Sequence, residues 1–131
     1  MIFDKPTNTE LLDAVSYFLK EKIQSEVPPH LAFKLRIVEN VLNIVKREIR
    51  DGEILSEEIY EDLRTLLDSD LASINDLAEL ISNGHIDLEN DDLKRLLVKL
   101  SINKMKIDNP NYSTLKKLVE LFDWLFILKY H

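Results

Sequence analysis

Apolar residues recur three and four positions apart along almost the whole chain, in blocks closed by helix caps, prolines and two glycines. Thr7-Asn8-Thr9-Glu10 reads as a capping box, in which the Thr7 hydroxyl serves the third helical N–H and Glu10 reaches back. Leu11, Leu12, Val15, Phe18, Leu19 and Ile23 form the stripe of a first helix. Pro28-Pro29 ends it and is placed to open the next. A second helix is expected from about His30 to Arg50, with apolar residues round much of its circumference, which predicts a central position. Arg47 and Arg50 suit its C-terminal dipole, and Gly52 follows as the expected left-handed cap.

A third helix is expected over Ser56 to Leu67, and a fourth over about Ser69 to Asn83, closed by Gly84. The link between them is so short that one bent helix is an alternative. A fifth starts near Asp91 and is broken at Asp108-Asn109-Pro110-Asn111. A last helix runs from about Ser113 to the end. With no alternating strand pattern and no fixed-period repeat, the expectation is an all-α, single-domain bundle of five or six helices over residues 1–131.

Composition excludes several functions. Two glycines cannot build a phosphate-binding P-loop, a dinucleotide fingerprint or a nucleophile elbow. The absence of Cys excludes disulfides, thiolate chemistry and zinc fingers, and suits a reducing compartment. No metal site or cofactor is expected. The formal charge of −7 argues against nucleic acid. The N-terminus is no signal peptide and no stretch approaches a membrane span, so a cytoplasmic location is expected. Charge is uneven: Asp51 to Asp92 carries fourteen acids against Arg64 alone, whereas Leu93 to His131 carries eight Lys/Arg against three acids. The ordinary reading is solvated acidic faces beside basic helices; the sharper one is an acidic docking face for a basic partner.

Three constellations bear on function. Arg36, Asn40, Asn43 and Arg47 are spaced four, three and four apart, so they share one face of the second helix. They are candidates for a small anionic ligand, with His30 as a further member; the ordinary reading is pairing with neighbouring carboxylates and loop carbonyls. His30, His85 and His131 show no metal-binding spacing. Asp87-Leu88-Glu89-Asn90-Asp91-Asp92 fails as a calcium loop, since the sixth position is Asp92 and the twelfth Val98, where Gly and Glu are needed. The tail from residue 113 to 131 is apolar nearly all round, with Phe122, Trp124, Leu125, Phe126, Leu128 and Tyr130 as interface candidates. It must be covered within its own core or by a second copy.

Three blocks carry a family resemblance: Lys5-Pro6-Thr7 with Glu10 to Val15 and Phe18-Leu19; Phe33 to Glu48; and Ile107 to Ser113. Together, from Lys5 to Ser113, they resemble a bacterial domain-of-unknown-function family of small helical, uncharacterised proteins. Its members are often described beside aminoglycoside-phosphotransferase-like kinases and acyl-CoA dehydrogenases. The resemblance implies an accessory role in acyl-CoA or related catabolism, and brings no catalytic residues. The expectation is a non-catalytic accessory or interaction protein, homodimeric or bound to a partner. The alternative is a protein that binds an acyl-CoA or phosphorylated metabolite, with or without turnover.

Overall fold

The computed structural model describes residue 2 and the backbone from residue 4 to residue 130, with side chains as far as residue 124. Among the described residues the fold is all-α, as the periodicity predicts. It contains five α-helices: α1 (Asn8–Tyr17), α2 (Pro29–Leu67), α3 (Ile74–Ser82), α4 (Asp91–Asp108) and α5 (Leu115–Tyr130). A π-helical turn (Phe18–Ile23) and a 3₁₀ turn (Gln24–Glu26) join α1 to α2. The chain groups into two compact units, residues 1–53 and 54–131.

The first unit begins with the expected capping box. Thr7 Oγ1 accepts from the Glu10 N–H at 3.1 Å, and Glu10 Oε2 accepts from the Thr7 N–H at 2.9 Å. Lys5 Nζ adds an ion pair to Glu10 Oε1 at 3.0 Å. Hydrogen bonding to the Thr7 backbone and to Lys5 holds the Glu10 carboxyl below its ordinary pKa. Past Tyr17 the helix widens, and the Gln24 N–H donates back to the Leu19 carbonyl. Val27 is extended before Pro28, and Pro29 opens α2 at the first helical position, where its missing N–H costs nothing. Lys46 Nζ pairs with Asp13 Oδ1 at 2.8 Å and ties α1 to α2.

Two expectations fail in α2. Gly52 is not a cap: the helix runs through it from Pro29 to Leu67, so the anticipated helices at 30–50 and 56–67 are one. Gly in a helix interior costs about 1 kcal/mol relative to Ala, too little to stop a helix flanked by good formers. The stop is Asp68, at φ +50°, with the Ser69 N–H donating to the Arg64 carbonyl at 3.1 Å. Asp is one of the few non-Gly residues that tolerate this conformation. The second failure concerns position: the stretch expected to be central, residues 30–50, contains no buried residue.

The second unit holds the core. Leu63 and Leu93 are fully buried and Ile59, Leu77 and Leu96 almost so, with Leu66, Leu67, Ala72, Ile81, Ile86 and Leu100 packed around them. α3 starts at a second capping box, Ser73 with Asp76, later than the expected residue 69. It ends as expected at Gly84 (φ +70°), where the His85 N–H donates to the Leu80 carbonyl at 2.9 Å and the Gly84 N–H to Ile81. Asn90 caps α4 through bonds to the Asp92 and Leu93 N–H groups. Buried Asn103 donates to the Leu55 carbonyl and to Glu58 Oε2, each at 3.2 Å, and Lys99 pairs with Asp62 at 2.9 Å.

Candidate functional site

The first unit presents apolar surface where a core would be expected. At 100° per residue, Phe33, Ile37, Val38, Val41, Val45 and Ile49 occupy an arc of roughly 160° on α2. All six are exposed, from 37% at Val45 to 56% at Phe33. On α1 and the turn after it, Leu11, Val15 and Phe18 are also about half exposed, and Leu31 is 40% exposed. No residue described in 1–53 is buried. The half-buried positions of this stretch, Ala32, Leu35, Glu39, Leu42, Asn43, Lys46 and Arg47, lie mostly on another side, where Lys46 pairs with Asp13 of α1; within the apolar arc Ile44 alone is half-buried. A helix this apolar needs cover on two sides, and within this unit one side is covered.

The polar stripe of α2 divides between two clefts. Arg36 lines one of about 410 Å³ with Lys20, Gln24 and Ser25, and its guanidinium lies 5.9 Å from the centre of the Phe33 ring. Asn43 and Arg47 line another of about 540 Å³ with Asp13, Lys46 and Arg50. Arg50 is bound through two nitrogens to the neighbouring Asp51 carboxylate, which raises the guanidinium pKa and lowers that of Asp51. Asn40 and His30 are exposed and line neither cleft. The four stripe residues therefore do not converge on one ligand. Lys20 and Arg36 share their cleft with no carboxylate in its lining, and neither has an ion-pair partner among the described residues.

In the second unit the acidic stretch is largely occupied with structure. Glu57 pairs with Arg64, Asp62 with Lys99, Glu89 with Lys94 and Asp92 with Arg95, while Asp76 completes a capping box. The Glu89 partner raises the Lys94 pKa. A largely apolar cavity of about 220 Å³ lies between Leu55, Ile59, Tyr60, Ile74, Leu100 and Ile107. Of the tail, Leu115 is buried, Phe122 is half-buried beside Leu66 and Leu96 in another cleft, and Trp124 is 56% exposed. The side chains of Leu125, Phe126, Leu128 and Tyr130 lie outside the described residues, as does His131. Among the described residues, no group of three or more His, Asp or Glu is arranged to hold a metal ion, and no helix is long and apolar enough to cross a membrane.

The sequence predicts Leu11, Val15 and Phe18 as the stripe of the first helix and a central place for the second, with Ile37, Val41 and Val45, as though all six were covered. The signal that they are not was the width of the α2 apolar arc, which a helix as short as α1 cannot cover. No curated protein and no solved structure matches the chain. Residues 25–112 match a family described as a domain of unknown function, DUF6285. The match contains the Phe33–Glu48 block and most of the Ile107–Ser113 block; the Lys5–Leu19 block and α5 lie outside it. It covers well over half of the chain, and the chain belongs to the DUF6285 family.

Proposed function

We propose that the chain is a non-catalytic protein-interaction module, and that its working surface is the apolar face of residues 31–49. One observation carries this reading: in a unit where no described residue is buried, seven large apolar side chains of residues 31–49 are 37–56% exposed. Their combined exposed area is roughly 600 Å², at the top of the 300–600 Å² range of the largest patch on a typical monomer. In this reading the chain works in the cytoplasm, which its cysteine-free composition suits. The accessory role in acyl-CoA catabolism rests on the family resemblance and makes kinase-like and dehydrogenase-like enzymes the first partners to test. The exposed Trp124 and Leu121 on α5 offer a second, smaller contact region.

The test is affinity capture from host lysate by the full chain and by Val41→Glu, with partners identified by mass. Stoichiometric recovery of one protein by the wild type, lost in the variant, supports the reading. Equal recovery by both overturns it.

A second reading has its own observation. Lys20 and Arg36 face one cleft without a carboxylate, an arrangement suited to a small dianion such as a phosphate ester. A melting-temperature rise with CoA esters or sugar phosphates that disappears in Arg36→Ala supports this reading; flat responses overturn it.

A further inference from the structure

We infer that the face is completed by a second copy of this chain, with α2 pairing antiparallel to α2 about a two-fold axis through Val41. This rests on the interaction reading above and names its occupant. In a two-fold antiparallel pair, positions equally far from the axis meet, and each contact occurs twice. About Val41 the partners over residues 33–49 of the face are Phe33 with Ile49, Lys34 with Glu48, Ile37 with Val45, and Val38 with the half-buried Ile44. Every apolar position in that set meets an apolar one, and the only two charges meet as opposites.

Lys34 and Glu48 are both exposed, lie within the same arc as Val41, and form no ion pair among the described residues. A parallel pairing would set Lys34 against Lys34 and Glu48 against Glu48, so the charges select the antiparallel arrangement. The chain's net charge of −7 lies mostly outside the unit that carries the face, since residues 1–53 hold eight Lys/Arg and nine Asp/Glu. The six apolar side chains with the stems of Lys34 and Glu48 offer roughly 600 Å² per copy. Both copies together bury about 1,200 Å², the lower edge of stable specific interfaces. A reversible dimer is the expected state.

Sedimentation equilibrium of the full chain from about 1 to 100 μM reads the association. The wild type should form dimers, and Val41→Glu, which sets two carboxylates on the axis, should stay monomeric with unchanged helical circular dichroism. Lys34→Glu or Glu48→Lys alone should weaken association about tenfold, and the two together should restore it. Both positions are exposed, so these variants keep the test available should Val41→Glu not fold. The chain has no cysteine, so Val41→Cys should cross-link on mild oxidation far more completely than Leu71→Cys, whose site is 91% exposed but off the axis. A monomer throughout the range, a dimer indifferent to Val41→Glu, or no restoration in the double variant would overturn the two-fold. A monomer that still captures another protein through Val41 overturns the two-fold alone; a monomer that captures nothing overturns the interaction reading as well.

Discussion

One helix passes through both units, and its two ends meet opposite fates. Between residues 54 and 67, α2 buries Ile59 and Leu63 against leucines of α3 and α4. Between residues 31 and 49, side chains of the same chemistry and spacing are exposed. Helical periodicity, then, marks where a face can be buried, and the surface that neighbouring elements supply decides whether it is. The second unit brings two further helices to α2. The first brings one short helix and a π turn.

The largest expected effect separates the two ends directly. Leu63→Ala should lose about 2–5 kcal/mol in urea denaturation, because the site is fully buried. Ile37→Ala, at 48% exposure, should lose less than about 1 kcal/mol in dilute solution. Equal losses would break the comparison and place a core in both units.

Next comes the polar anchor of the second unit. Asn103→Ala should cost about 1–3 kcal/mol, since it leaves the Leu55 carbonyl and Glu58 without their buried donor. A neutral result would mean that water replaces the amide.

Smaller and opposite in sign are the two helix-end changes. Gly52→Ala should raise stability by about 0.5–1 kcal/mol, with the exposed Glu48 side chain giving way where its Cγ lies 3.3 Å from the added Cβ. Asp68→Gly should also stabilise, by roughly 1 kcal/mol, because Asp68 carries the positive φ. A destabilised Gly52→Ala would show that α2 needs its glycine at the join between the units.

The smallest effect is electrostatic and belongs to the first unit. Glu10 titrates below its ordinary value in the folded chain, so its contribution to stability is complete above that value. The contribution falls away as pH drops through the folded pKa. Melting temperatures of the wild type and Glu10→Gln should therefore converge in acid and separate as pH rises. Parallel curves would mean that the Thr7–Glu10 box carries no pH-dependent stability.

Much of this was legible beforehand. The Thr7 box, the Gly84 stop, the Asn90–Asp91 start and the Pro110 break are local, since each depends on atoms within about five residues of one another. The Ser73 box was legible too, as Ser-Ile-Asn-Asp ahead of Leu77, but the expected start at Ser69 passed over it. Gly52 misled because a glycine cap and a glycine inside a helix look alike until the next turn is known. The stripe of Arg36, Asn40, Asn43 and Arg47 was correctly placed on one face. Its division between two clefts depends on where α1 and its π turn cross, which helical spacing does not encode.

By itself, then, the sequence determined the helices, most of their ends and the apolar arcs they carry, because caps, periodicity and proline act through neighbouring residues. Only the tertiary structure decided that Leu63 is core and Val41 is surface. Burial is a property of two surfaces meeting, and the second surface comes from elsewhere in the chain or, as we infer for Val41, from a second copy of it.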